Sequence, residues 1–297
     1  VLGPLPPLPF KPQGSDIREQ QEEVRDSLPW SAHLACMDGQ KHSEHRAILT
    51  ALLTYKRLKQ NEDYLHGLAD RMIDRFIADG HCNVVPQYGH AITTYAISDL
   101  LGIPEADRAL LLEQIGAPPS QVTGESEMKA GPDPLIGMKA LFDSYFTERL
   151  EVPQDDLMTE LSQAKYKDGT PIPFEQMSLL ARFLFGAGQD TTSHLISMAI
   201  RILAERPELQ ARLRGEPARI PDFLEEVLRF DAPVKTGYRL ALEDTVVAGV
   251  PIPAGSVLTA CLSGANRDPA HFQRPDEFDI DRPQLRDHMA FSRGIHG

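Results

Sequence analysis

The sequence predicts a mostly α-helical fold with a small β region near its C-terminal end. Two observations carry this. From about 41 to 230 apolar residues recur at helical spacing, and from 237 to 262 apolar and polar residues alternate between turn signals. A single domain over 1–297 accommodates both, with a proline-rich, looped lead-in at 1–40, a helical body at 41–230, and the β region with a loop-rich tail at 231–297.

Residues 1–14 are too rich in proline for a regular helix or a central strand, so they read as an extended loop. Ile48, Leu49, Leu52, Leu53 and Leu58, then Tyr64, Leu65, Leu68, Met72, Ile73 and Phe76, repeat with helical period. Gly80 is placed to cap that stretch. A helix over about 88–101 ends at Gly102, and a shorter one begins at Pro104. Prolines and glycines between 118 and 133 read as a loop, and helical pattern resumes over about 134–150. The longest helix runs from about Pro173 to Glu205; it is mostly apolar, as a central buried helix would be. Short helices follow from Arg206-Pro207 and over 220–230. Ala248-Gly249 and Pro253-Ala-Gly255 mark turns between short strands.

Composition narrows the function classes. At 297 residues and 41% apolar, the chain has ample material for a large core. No apolar run approaches the roughly 20 residues that span a bilayer. A net charge of −13 argues against non-specific nucleic-acid binding. The three cysteines, at 36, 82 and 261, form neither a disulfide framework nor a zinc pattern, which points to a reducing, cytoplasmic setting.

Four segments carry chemistry. Within the long helix, Ala187-Gly-Gln-Asp-Thr-Thr192 sets a glycine where it costs about 1 kcal/mol against alanine, and beside it an Asp that needs a partner or water. Ala187, Gly188 and Thr191 share a helix face, so two tiny side chains would let a flat cofactor reach the backbone. Thr191 could present a hydroxyl to a ligand, with Asp190 relaying protons, and the hydroxyl can also compete for a helix carbonyl. A kink that permits tight packing is the other reading of this hexapeptide. Glu226 and Arg229 lie three apart on one helix face in Phe223-Leu-Glu-Glu-Val-Leu-Arg-Phe230. His42 and Arg46 stand one turn apart in Asp38-Gly-Gln-Lys-His-Ser-Glu-His-Arg46. The tail reads Phe291-Ser-Arg-Gly-Ile-His-Gly297.

Taken in order, these segments resemble the cytochrome P450 family, in its soluble bacterial type, from about residue 30 to 297. The tail resembles F-x-x-G-x-H-x-C, with Phe291, Gly294 and His296 matching; Ser292-Arg293 stands in place of the more usual Gly-His or Gly-Arg. The hexapeptide resembles A-G-x-D/E-T-T, and Glu226 with Arg229 resembles E-x-x-R. The resemblance implies haem b as cofactor. It implies Asp190 and Thr191 as the acid–alcohol pair delivering protons for O–O cleavage, with Ala187 and Gly188 against the ring. His42, Arg46, Arg239 and His296 would grip the propionates, and Phe291 and Gly294 would shape the proximal loop. Glu226, Arg229 and Arg282 would form the structural triad; Glu277 occupies a slot that often carries a basic residue, which leaves Arg282 as its third member.

By the same resemblance the iron-ligating cysteine stands after Gly297. The chain would then be cut at both ends and inactive as it stands, with no metal ligand of its own. Cys36, Cys82 and Cys261 read as small apolar residues within their elements, and His45 and His194 as structural. The intact enzyme would put one oxygen atom of O2 into an apolar small molecule, with electrons from a ferredoxin or flavodoxin-type donor. Pro233–Tyr238 and Phe183–Phe185 would line the substrate side. The basic run Tyr55-Lys-Arg-Leu-Lys59, with Arg293, would dock the donor. Two other readings stand: a peroxide-using or isomerase haem-thiolate enzyme, which would tend to lack the Asp190–Thr191 pair, and a non-catalytic helical fragment or pseudoenzyme.

Overall fold

The structure is a computed structural model that describes residues 10–25, 31–116 and 135–296. The loop expected over 118–133 and most of the proline-rich lead-in lie outside these residues. The helices in chain order are α1 (Arg18–Val24), α2 (Gly39–Leu52), α3 (Tyr55–Gln60), α4 (Glu62–Asp74), α5 (His90–Leu101), α6 (Glu105–Gly116), α7 (Lys139–Glu151), α8 (Leu157–Gln163), α9 (Phe174–Glu205), α10 (Pro207–Gly215) and α11 (Ile220–Phe230). Four strands follow, β1 (Thr236–Leu240), β2 (Thr245–Val247), β3 (Val250–Ile252) and β4 (Val257–Cys261), and then α12 (Leu262–Ala265). The mostly helical fold with a small β region is therefore as expected.

Two compact units divide the chain. One comprises the described residues 31–116 and 135–193; the other comprises the described residues 10–25 and 194–296. In the first, Phe142, Phe146 and Phe185 are fully buried at the centre of a core that takes in Leu101, Leu157, Met158 and Leu161. Phe142 and Phe185 meet edge to face, their ring centroids 5.9 Å apart. Phe185 is thus a core residue and does not line a substrate surface, whereas Phe183 is only half-buried.

The close of α5 shows how a backbone requirement organises this unit. Gly102 takes φ +80°, with its N–H bonded to the Asp99 carbonyl at 3.0 Å and the Ile103 N–H to the Ser98 carbonyl at 2.8 Å. That is the left-handed glycine cap the sequence predicts. A side chain is excluded twice over, since a Cβ would also fall 2.4 Å from the Asp156 side chain. Buried Arg149 closes the arrangement: Nη2 donates to the Gly102 carbonyl at 2.7 Å and Nε to Asp156 Oδ2 at 2.9 Å. Asp156 also caps α8 by accepting from the Thr159 N–H at 2.7 Å. At the other glycine stop, Gly80 sits at φ +70° after a 3₁₀ turn (Ile77–Asp79), because α4 itself has already ended at Asp74.

In the second unit β1 pairs antiparallel with β4, Arg239 opposite Leu258, and β2 pairs with β3. The β2–β3 hairpin turns on Ala248 and Gly249, both at positive φ, as a two-residue hairpin loop demands. The lead-in departs from expectation. It contains α1, and the Ile17 N–H donates to the Leu242 carbonyl at 2.8 Å while Asp16 bridges to Glu243. A pairing partner more than 200 residues along the chain leaves no local sequence pattern. The short α8 was likewise not expected.

Buried within the second unit is an ion cluster in which Arg229 spends all five of its N–H donors. Nε and Nη2 grip Glu226 at 2.7 and 2.8 Å. Nη1 donates to the carbonyls of Asn266 (2.9 Å) and Pro275 (2.8 Å), and Nη2 also to that of Glu277 (3.0 Å). Glu226 accepts the Asp279 N–H at 2.9 Å and lies 3.5 Å from Arg282 Nε. Arg282 also bonds the carbonyls of Gln273, Arg274 and Glu277.

Two predictions follow from these locks. Arg149→Met leaves Asp156 and the Gly102 carbonyl buried without their donor, so the first unit should lose about 3 kcal/mol or more, read as a lower urea midpoint. Glu226→Ala leaves two guanidinium groups facing each other in a dry interior. A loss of about 3–5 kcal/mol is expected, with a collapse in soluble yield; an unchanged yield and midpoint would remove the cluster's structural role.

Candidate haem site

The expected site residues fall in both units, and each half is described by itself. In the first unit, α2 carries buried His42 and half-buried Arg46 one turn apart. His45, one residue before Arg46, has a different task. One ring nitrogen hydrogen-bonds the Lys41 carbonyl at 2.7 Å and the other the Tyr166 hydroxyl at 3.1 Å, which makes it a structural histidine as read from sequence.

The middle of α9 is the unusual element. Most of its length in this unit is packed, with Phe185 and Gln189 buried, yet Ala187 between them is exposed. A helix in a core leaves a methyl group bare at mid-length only where neighbouring elements hold back. Thr191 stands one turn further on and donates its hydroxyl to the Ala187 carbonyl at 2.8 Å, the competition for a helix carbonyl foreseen for this threonine. Asp190 and Thr191 are both half-buried. Gly188 serves differently from expectation: a Cβ there would meet the Ile97 side chain of α5 at 3.5 Å. Its small size faces a neighbouring helix, and the open strip belongs to Ala187 and Thr191.

In the second unit Arg239 is exposed on β1, with Nη1 donating to the Tyr238 carbonyl at 2.7 Å. The tail is a tightly turned loop. Ser292 and Gly294 take φ +63° and +89°, and the Ser292 N–H reaches back to the Met289 carbonyl at 2.8 Å. A non-glycine residue in the left-handed region is uncommon, and it stands where glycine is more usual in the motif. Phe291 is 66% exposed and His296 half-buried. Sequence reasoning missed the residue that secures this loop. Asn266 is fully buried; its side-chain oxygen accepts the Met289 N–H at 2.6 Å while its carbonyl accepts from Arg229. The ion cluster and the tail thereby share one asparagine. Buried His288 adds a second tie, to Glu225 at 2.9 Å. No short motif marks either residue.

Each half by itself has chemistry that fits haem: in the first unit an imidazole and a guanidinium at 42 and 46 suit a carboxylate, and the bare small side chain on α9 suits a flat, apolar ring, while in the second unit a guanidinium and an imidazole at 239 and 296 suit a carboxylate. Cys36 and Cys82 are half-buried and Cys261 is exposed at the end of β4. Cys261 is thus not the packed apolar residue expected, and none of the three lies in the tail loop. Among the described residues no group of His, Cys, Asp and Glu could hold a metal ion. The basic run on α3 is largely spoken for: Arg57 pairs with Glu160 and also donates to the Leu52 carbonyl at 2.9 Å, and Lys59 pairs with Glu62.

Comparison with known proteins identifies the family. A cytochrome P450 family model matches residues 139–297. Putative cytochrome P450 140 of Mycobacterium tuberculosis is 34% identical over 269 residues, covering 89% of this chain and 61% of the relative. Putative cytochrome P450 YjiB of Bacillus subtilis is 31% identical, covering 88% of this chain and 67% of the relative. Among solved structures, substrate-free CYP150A6 of Mycobacterium marinum superposes with a TM-score of 0.89 at 42% identity, over 100% of this chain and 69% of its own. The chain thus spans about three fifths of the length of the first of these relatives. A family model across more than half of the chain, identities above 30% and a shared fold together make this chain a member of the cytochrome P450 family, whose cofactor is haem b.

Proposed function

We propose that the whole protein is a monooxygenase that inserts one atom of O2 into an apolar small molecule, with electrons from a ferredoxin or flavodoxin-type donor. The observation that carries this reading is the bare strip on α9, with Ala187 exposed at mid-helix and the Thr191 hydroxyl beside it. Haem held by a thiolate supplies the O–O bond-splitting chemistry when bound. In this proposal the ligating cysteine is the residue after Gly297.

The chain's own residues do the rest. His42, Arg46, Arg239 and His296 would hold the haem propionates through charge-assisted hydrogen bonds. Ala187 keeps the α9 surface flat enough for the ring to approach. Thr191 gives up its bond to the Ala187 carbonyl and turns its hydroxyl toward the bound ligand. Asp190, half-buried beside it, takes protons from solvent and passes them to that hydroxyl. Retention of the acid–alcohol pair favours O2 over peroxide as oxidant. Since Arg57 and Lys59 are already paired, exposed Lys56 is the cation of that run left for docking a donor, and Arg293 is exposed on the tail loop of the other unit.

The coding sequence beyond Gly297 tests the iron ligand: a cysteine codon next supports the proposal, and any other residue ends it. Two variant sets test the roles. His42→Ala and Arg46→Ala should each weaken haem uptake by about tenfold, the loss of one charge-assisted hydrogen bond, measured by haem absorbance titration. In the full-length enzyme, Asp190→Asn and Thr191→Ala should leave haem uptake intact and lower the oxygenation rate by a factor on the order of 10². Unchanged rates in both would rule out the proton relay.

A further inference from the structure

We infer that an open cavity in the first unit, where the N-terminal turns of α2, α7 and α9 meet, binds the carboxylate of an amphipathic acid. Resting on the function proposed above, we infer too that this cavity anchors the substrate. The cavity measures about 410 Å³ and takes its lining from these three helix starts, residues 32–33 and Tyr166.

Its electrostatics are unusual for helix starts. The N-terminal turn of a helix carries partial positive charge and favours acidic side chains. Neither α2 nor α7 has an acid in its first turn; each places a lysine there, Lys41 and Lys139, and both line the cavity. Lys139 is balanced by Asp143 at 2.6 Å and Glu175 at 3.2 Å. Lys41 is exposed and has no carboxylate partner among the described residues. Buried Arg182 also lines the wall, where its Nη1 donates to the Leu135 carbonyl at 3.2 Å and its charge helps to lower the pKa of Asp143. Lining cations at 41, 139 and 182 thus face one lining carboxylate, Glu175, with Asp143 just behind. An ammonium and a guanidinium set above helix starts form a place for a carboxylate.

The rest of the lining suits an apolar body. Leu179 belongs to it, and half-buried Phe183 follows one turn further along α9, its ring 6.0 Å from that of His33. Leu179 precedes Ala187 by eight residues, about 12 Å along the helix axis. An acid held by its carboxylate at Lys41 would lay its chain along α9 toward Ala187 and Thr191. Reaction would then fall at a carbon well removed from the carboxylate.

Calorimetric titration of the chain with decanoate, decanamide and inorganic phosphate tests this without haem. Decanoate should bind about tenfold more tightly than decanamide, the worth of one charge-assisted contact, and inorganic phosphate should not displace it. Lys41→Gln, a surface change, should remove most of that difference and leave decanamide binding unaltered; Lys41→Arg should restore it. Equal binding of acid and amide, indifference to Lys41→Gln, or displacement by phosphate alone would each overturn the inference. Acid binding that depends on Lys41 in a protein that takes up no haem would keep the anion site and overturn only its role as a substrate anchor.

Discussion

The C-terminal unit is built around one guanidinium group. Arg229 is buried with every N–H engaged: two bonds to Glu226 and three to the carbonyls of Asn266, Pro275 and Glu277. Those carbonyls belong to an irregular stretch that could not otherwise satisfy its backbone polar groups away from water. Arg282 repeats the arrangement on the carbonyls of Gln273, Arg274 and Glu277. Burying such charges is worthwhile only when the geometry is complete; here it converts residues 266–284, which hold neither helix nor strand, into a defined support. Asn266 then carries the order onward to the tail through Met289.

The N-terminal unit solves a similar problem differently. Gly102 must be glycine because its backbone is left-handed and because Asp156 occupies the space of a side chain. Arg149 joins the two and so couples the end of α5 to the start of α8. Around that polar lock, the aromatic cluster of Phe142, Phe146 and Phe185 supplies apolar burial. With that core in place, α9 can expose Ala187 at mid-length without losing its packing elsewhere.

The proposed function rests on small departures from ordinary helix chemistry. α9 keeps an Asp and a Thr at a place where an apolar residue would pack better, α7 begins with a lysine where an acid would be favoured, and α2 carries one at its third position behind the N-cap Asp38. Such departures cost local stability, and sites of chemistry or binding are where that cost is expected. The family assignment gives the first departure a reason, and the basic cavity gives one to the second.

Much was legible in the sequence because it was local. Helical period located α5, α9 and α11, glycines marked the stops at 80 and 102, and alternation with Ala248-Gly249 marked the hairpin. A short motif paired Glu226 with Arg229, since residues three apart share a helix face, and the two meet in a buried ion pair. Only the tertiary structure could reveal that residues 15–17 pair with 242–244, that Phe185 belongs to the core, that Gly188 faces Ile97, and that Asn266 joins the ion cluster to the tail. It also showed that Arg57 and Lys59 are already paired. Each of these depends on partners brought close by folding, and periodicity along a chain carries no record of what a face will meet across space.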